Sequence, residues 1–337
     1  MNKETTKYVP EELESKIDID FDALLKELNA LREAPQLNET ETNELVFKLH
    51  EQFPNKEIAL EKESDVLMRV VERIEIECGD AGHFNFFGAA MDLVEINPSN
   101  TEFVEHKALK GEFAAYDHKN GIIVLTRDVM QGMAPVAILE NLATLGYSQS
   151  IRALHHELLH SKQFRSSEEE NKIIEDLVKT HSFYGVMVQI KRLLGPYMRA
   201  HDVLKEVHSY QGEQKFGGEF DTTADLVGIL KGEAYGYKKT KDTDRIIIAS
   251  QDIKRLYAFE LSDDEIGVLV KEARWDKKRR CYDLIEDKVK ELTETKGLDE
   301  EDVDNLVLAD DIKRKIYIQK VKLIAQDELK KAVESLK

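Results

Sequence analysis

The chain has 337 residues, of which 42% are hydrophobic and 34% are charged, and its 66 acidic and 48 basic side chains give a net charge of −18 at pH 7. This balance is typical of a folded protein and excludes a disordered tail, and the length suits one large domain or two smaller ones. The negative charge argues against a nucleic-acid partner or an anionic membrane surface. No segment reaches the roughly 18 apolar residues of a membrane span, so we expect no membrane association.

The N-terminal segment and the cysteines indicate a reducing compartment. The segment MNKETTKYVPEELESK has no apolar core, so we expect no secretory signal. The only cysteines are Cys78 and Cys281, which lie far apart in the sequence and do not suggest a disulfide scaffold. We therefore expect a cytoplasmic protein. Because the chain has no C-x-x-C motif, any metal would be held by histidine and carboxylate side chains.

Hydrophobic spacing predicts helices at the start of the chain and a hairpin after them. In FDALLKELNAL and NELVFKLHEQF, apolar residues recur at the period of a helix with one buried face, which predicts a helical region over 11–53. A further helix is predicted over 62–75. From 76 to 127, short apolar runs alternate with turn residues. There GEFAAY and IIVLT flank the Asn-Gly turn of DHKNG, which predicts a β-hairpin.

The pattern becomes helical again from residue 135. Pro135 suits the first turn of PVAILENLATL and Gly146 suits its end, while Ser148 or Ser150 suits the N-cap of the next helix. Near the C-terminus, SDDE fits a capping box inside a charged helical region that runs from 243 to the end. Other helices are predicted over 168–194, 197–214 and 221–238.

The segment ALHHELLHSKQ gathers three of the ten histidines of the chain around one glutamate. Positions four apart project from the same face of a helix, so His156 and His160 can aim both imidazoles at one point. Glu157 lies beside His156, where it can reach a water bound to a metal between the two histidines. His155 has Leu159 four residues on, so it falls outside the pattern and is expected to be a supporting or substrate-facing side chain.

The opposite side of the same helix is predicted to be its buried face. Ile151, Leu154 and Leu158 form this apolar stripe. One helix would thus supply two metal ligands, one general base and the apolar face that packs the helix against the rest of the protein.

In His156-Glu157-Leu158-Leu159-His160 the chain resembles the zincin metallopeptidases, which carry H-E-x-x-H on a helix. The resemblance implies that His156 and His160 bind Zn²⁺ and that Glu157 is the general base. It implies hydrolysis of a peptide or protein substrate by a metal-activated water. Two alternatives stay open: a metal-binding regulatory protein with little or no proteolytic turnover, and a helical protein in which the motif is a chance match.

A third ligand is expected, because catalytic zinc takes three protein ligands and keeps one position for water. The residues after His160, SKQFRS, contain no glycine or histidine, which excludes the metzincin pattern. The gluzincin branch instead implies a glutamate from a later helix. Glu206 is favoured, because it lies on the second predicted helix after the motif and shares a face with Ser209 and Tyr210. Glu233 remains the alternative.

Tyrosines near these glutamates are candidates for stabilising an oxyanion. Tyr210 is the first candidate for such a catalytic donor, and Tyr235 and Tyr237 are further ones. His208 lies on a different face from Glu206, so we expect a surface histidine, with oxyanion stabilisation as the alternative.

The expected fold is α+β and predominantly helical, with a zincin-like small antiparallel sheet packed on the active-site helix and helical N- and C-terminal extensions. In zincins the substrate lies extended along an edge strand, for which Ile122–Thr126 and Phe113–Tyr116 are the candidates. The predicted segments are an N-terminal helical one at 1–75, a sheet-containing one at 76–147, a helical catalytic one with the metal site at 148–240, and a C-terminal helical one at 241–337.

Overall fold

The computed structural model describes residues 17–53, 55–78, 101–104, 114–117, 122–164, 204–206, 208–210, 243–275 and 281–336. These residues are mostly helical and include a small sheet, as the composition and spacing predict. Within the described ranges, no helix is both long and apolar enough to cross a membrane. In chain order the elements are α1 (Phe21–Glu33), α2 (Glu39–Glu51), α3 (Lys56–Cys78), β1 (Thr101–Val104), β2 (Ala114–Asp117), β3 (Ile122–Thr126), α4 (Arg127–Gln131), α5 (Pro135–Leu145), α6 (Gln149–Phe164), α7 (Thr243–Ala258), α8 (Asp263–Trp275), α9 (Cys281–Lys296) and α10 (Glu300–Glu334).

The helical region predicted over 11–53 contains two helices rather than one continuous run. Ala34 has φ −60° and ψ 144°, which is extended, because the following residue is Pro35 and a residue before proline is pushed out of the helical conformation. The chain then re-enters a helix at Asn38, which forms a capping box with Glu41. The helix predicted over 62–75 extends at both ends, to Lys56–Cys78.

The sheet has the order β1-β3-β2. Strands β2 and β3 pair in antiparallel fashion, with Ala115 opposite Val124, which confirms the predicted hairpin. Strand β1 pairs with β3 in parallel, so the expected antiparallel arrangement holds for β2 and β3 but not for β1. Hydrophobic periodicity marks a strand but carries no information on the direction of its partner.

The position of β3 in the middle also corrects one expectation about the substrate. Both sides of Ile122–Thr126 are already paired with neighbouring strands, so this segment has no free edge for an extended peptide. The other candidate, Phe113–Tyr116, overlaps β2, which the described residues pair on one side only.

Two large hydrophobic cores join most of the described helices, and α1 packs on Ile312 and Ile316 of α10 in a smaller cluster. The first joins α2, α3, α5, the start of α6 and the C-terminal half of α10, and so crosses the segment boundaries predicted at 75 and 147. The second joins α7, α8 and α9 with Val303 at the start of α10, and it includes Leu204. Helix α10 has 35 residues and is about 52 Å long, which lets it contribute to both cores.

The turn between α5 and α6 sets the direction of the helix that carries the histidine motif. Pro135 lies in the first turn of α5, and Gly146 ends the helix with φ 79°, in the left-handed region that favours glycine. Ser148 then accepts a hydrogen bond from the Ile151 amide at 3.4 Å. All three expectations are confirmed, and of the two N-cap candidates it is Ser148 rather than Ser150 that precedes the helix.

The sheet packs against α6. Leu154, which is fully buried, lies in one apolar cluster with Ala114 of β2 and with Ile123 and Leu125 of β3. The small sheet therefore contacts the helix that carries the histidine motif.

The predicted capping box near the C-terminus is present. Glu265 Oε2 accepts from the Ser262 amide at 2.7 Å, and the Glu265 amide donates to Ser262 Oγ at 3.3 Å. Helix α8 begins immediately after this serine.

Candidate metal centre

Helix α6 is buried on more faces than the sequence predicts. His156, Glu157 and His160 are each 8% exposed, although none of them belongs to the predicted apolar stripe of Ile151, Leu154 and Leu158. Leu159 is buried as well, whereas Leu158 is only partly buried. Burial of α6 is therefore not confined to the predicted apolar stripe. The sheet covers one side of the helix, and contacts with a second helical segment occupy the other.

That second segment comprises residues 204–206 and 208–210, which are helical, and is called the Glu206 segment below. Leu204 is 1% exposed and packs into the second core with helices α7, α8 and α9. The segment is thus anchored in a different core from the start of α6, which belongs to the first core through Ile151.

Three donor groups converge between α6 and the Glu206 segment. The Nε2 atoms of His156 and His160 are 3.0 Å apart. Glu206 faces both rings, with Oε2 at 3.3 Å from His156 Nε2 and Oε1 at 3.3 Å from His160 Nε2. Among the described residues, these side chains form the group of histidine, cysteine and carboxylate donors able to hold a metal ion, with ligand atoms within 4.8 Å of one another.

The spacing of these donors fits a tetrahedral zinc ion. Bonds of about 2.05 Å from zinc to nitrogen or oxygen place neighbouring ligand atoms about 3.3 Å apart in a tetrahedron. The separations of 3.0, 3.3 and 3.3 Å are close to that value. Two imidazoles and one carboxylate are also the donor types that Zn²⁺ takes in catalytic sites. The residues present therefore fit the ion that the motif implies.

The electrostatics of the centre favour a charged carboxylate. Burial by itself would raise the pKa of Glu206, but hydrogen bonds from His156 and His160 outweigh this effect and hold the pKa well below its usual range. The side chain of Glu206 is 38% exposed, so the carboxylate also keeps contact with solvent. An ionised carboxylate beside two imidazoles is the state that a cation requires.

The Glu206 segment supplies further contacts to both histidines. Ser209, three residues after Glu206, has its Oγ 3.3 Å from His160 Nδ1. The ring of Tyr210 meets the ring of His156 edge to face, with centroids 4.8 Å apart and an interplanar angle of 78°. The sequence places Ser209 and Tyr210 on the face of Glu206, as found here. The contact of the Ser209 hydroxyl with His160 was not predicted, although the spacing of three from Glu206 could have indicated it.

The two other histidines near the site, His208 and His155, are both buried. His208 is 7% exposed, so the expectation of a surface histidine is wrong; burial here comes from tertiary packing that the local pattern does not show. His155 is also buried at 8%, and it is not a member of the converging group. The alternative ligand Glu233 and the alternative tyrosines Tyr235 and Tyr237 lie outside the described residues.

Comparison with protein-family models, with curated proteins and with solved structures finds no match for this chain.

Proposed function

We propose that this protein is a zinc-dependent metallopeptidase of gluzincin type, in which His156, His160 and Glu206 hold one Zn²⁺ ion. The observation that carries the proposal is the convergence of two imidazole nitrogens and one carboxylate within 4.8 Å, from two separate helical segments. It is supported by the position of Glu157, which directly follows His156 and is buried on the same helix. Three protein ligands leave a position open for water, as hydrolysis requires.

The chain supplies the base for the reaction. Zinc bound at such a site lowers the pKa of a water molecule towards neutrality and polarises the carbonyl of the scissile bond. Glu157 then accepts the proton of the attacking water and delivers it to the leaving amine. Loss of the Glu157 carboxylate should therefore abolish turnover while all three metal ligands remain in place.

Two further parts of the site are assigned roles in the proposal. The hydroxyl of Tyr210, whose ring lies against His156, donates a hydrogen bond to the developing oxyanion. An extended peptide pairs with the edge of β2, a strand that contacts α6 and shares an apolar cluster with it. Substrate backbone would then run beside the helix that carries Glu157.

Metal analysis tests the ligand set. The purified protein should contain about one zinc per chain after expression with zinc, and His156→Ala or His160→Ala should lower that content sharply. His155→Ala is the matched control, because His155 is a neighbouring histidine of equal burial that lies outside the converging group. Equal loss of zinc in all three variants would show that the helical register assigned to the motif is wrong.

Peptide cleavage separates an enzyme from a metal-binding regulatory protein. Glu157→Gln should keep zinc and lose about 10²- to 10⁴-fold in turnover, because general-base catalysis contributes on that order. Glu206→Gln should instead weaken zinc binding. Removal of zinc by a chelator should abolish cleavage while the far-UV circular dichroism spectrum changes little, since neither hydrophobic core contains a residue of the donor cluster. Stoichiometric zinc together with no cleavage of a diverse peptide library would refute the peptidase and leave a binding protein.

A further inference from the structure

The hydroxyl of Ser209 faces the nitrogen of His160 that does not point into the donor cluster. Ser209 Oγ is 3.3 Å from His160 Nδ1, and Ser209 is 0% exposed. The other ring nitrogen, Nε2, faces His156 and Glu206. The His160 ring is thus held between the donor cluster on one edge and a buried hydroxyl on the other.

We propose that Ser209 is the positioning residue of His160, an inference that rests on the proposed zinc site. A histidine binds zinc through a nitrogen lone pair, so Nε2 must be unprotonated and the ring proton must lie on Nδ1. Ser209 Oγ accepts the hydrogen bond that Nδ1–H donates. This bond favours the tautomer that presents the Nε2 lone pair to the cluster, and it fixes the plane of the ring.

A hydroxyl at this position has a property that a carboxylate or a carbonyl lacks, because it both donates and accepts hydrogen bonds. Without zinc, a proton on His160 Nε2 would face Glu206 Oε1, and the Ser209 O–H would turn to donate to the lone pair on Nδ1. With zinc bound, the same hydroxyl accepts from Nδ1–H. The Nδ1 atom of His160 therefore keeps a hydrogen bond with Ser209 in both tautomers, so uptake and release of the ion leave this buried nitrogen satisfied.

The position of Ser209 in the fold supports this role. It lies three residues after Glu206, so one turn of helix carries both the carboxylate of the cluster and the hydroxyl behind His160. Leu204 anchors this turn in the second core. The segment consequently sets the distance of the carboxylate from His160 and the orientation of the ring together.

Zinc affinity is the first test, measured on the full-length protein by competition with a chromophoric chelator. Ser209→Ala should bind zinc 10- to 100-fold more weakly than the wild type, which is the usual effect of losing the partner of a ligating histidine, and should still reach one zinc per chain at saturation. Ser150→Ala is the control, because Ser150 is a buried serine on α6 that is outside the cluster. The zinc affinity of Ser150→Ala should stay within about threefold of that of the wild type.

The second test measures how fast the Nδ1 proton of His160 exchanges with water. In the zinc-loaded wild type with ¹⁵N-labelled histidine, the Nδ1 proton of His160 should be protected from exchange with water, and in Ser209→Ala it should exchange faster. A serine with a purely structural role would change thermal stability and leave this proton unaffected. If Ser209→Ala does not fold, the wild-type spectrum decides, since an unprotected Nδ1 proton there contradicts the proposal.

The outcomes distinguish this inference from the proposed function. A wild-type protein that binds no zinc would overturn the metal site and the positioning role together. A wild type that binds zinc, with a Ser209→Ala variant of equal affinity and unchanged proton exchange, would overturn the positioning role and leave the zinc site intact.

Discussion

Gln326 on α10 connects three parts of the first core through its side-chain amide. It is 2% exposed. Its Nε2 donates to the carbonyl oxygens of Ala143 at 2.8 Å and Leu37 at 3.1 Å, and its Oε1 accepts from the Leu37 amide at 2.8 Å. The side chain thereby ties α10 to the end of α5 and to the turn that precedes α2. We predict that Gln326→Leu, which keeps the volume and removes the hydrogen bonds, destabilises the protein.

The magnitude follows from the three bonds. A net hydrogen bond contributes about 0.5–1.5 kcal/mol, and a buried group left without its partner costs about 1–3 kcal/mol. Leu37 is partly buried and can recover water, whereas the Ala143 carbonyl lies in a buried bond. We therefore expect a loss of about 2–4 kcal/mol in the free energy of unfolding. For a chain of this length that corresponds to a fall of roughly 3–6 °C in the thermal midpoint.

Urea unfolding followed by circular dichroism measures the effect, and Gln319→Leu on the same helix is the matched control. Within the described residues, Gln319 Oε1 is a buried oxygen that accepts no hydrogen bond. Replacing this amide by an apolar side chain of similar size should be neutral or stabilising. If both glutamine variants lose the same stability, or if Gln326→Leu loses less than about 0.5 kcal/mol, the account of Gln326 as a buried connector is refuted.

Two further predictions concern α10 and its neighbours. Gly146→Ala should lower the free energy of unfolding by about 2–4 kcal/mol, because φ is 79° and an added Cβ would clash with the Ile318 carbonyl oxygen. Gly267→Ala, with open space around it, should be neutral or slightly stabilising in the same urea assay. Arg73→Met should lower the free energy of unfolding by about 1–3 kcal/mol at pH 7, because Arg73 Nη1 donates to Glu328 Oε1 at 2.9 Å and Glu328 is almost fully buried. Burial raises the pKa of Glu328, but hydrogen bonds from Arg73 and a neighbouring lysine outweigh it and lower the pKa below its usual 4.5. The ionised carboxylate of Glu328 thus stabilises the fold above pH 4.5 and loses this contribution as the pH falls. The difference in the free energy of unfolding between the wild type and Arg73→Met should therefore become smaller below pH 4.5, and a larger difference there would contradict this account.

The elements predicted best are those whose ends are set by local chemistry. Pro135, Gly146 and the Ser262–Glu265 capping box act within one turn of the helix they begin or end, so a short sequence contains all the information. The break at Ala34 is also local, since Pro35 causes it, but the apolar spacing on both sides conceals it. The parallel pairing of β1 with β3 depends on a partner elsewhere in the chain, and alternation within a strand does not specify it.

Burial around the candidate site was predicted less well, for a tertiary reason. A helical pattern identifies one buried face only when the other face is open to water. Helix α6 has the sheet on one side and the Glu206 segment on the other, so Leu159 and the polar side chains of the motif are buried as well. His208 was expected at the surface for the same reason, because nothing in its neighbourhood along the chain indicates that the segment is covered.

The sequence specifies how the two histidines of the candidate site lie relative to each other, whereas only the fold brings Glu206 to them. His156 and His160 are four residues apart on one helix, so their rings converge wherever that helix lies. Glu206 comes from a segment anchored in the second core, and α6 begins in the first. Helix α10 contributes to both cores and is the one continuous element that joins them among the described residues. The approach of the carboxylate to the two imidazoles therefore depends on packing between segments that are distant in the sequence, and local pattern alone does not rank Glu206 above Glu233.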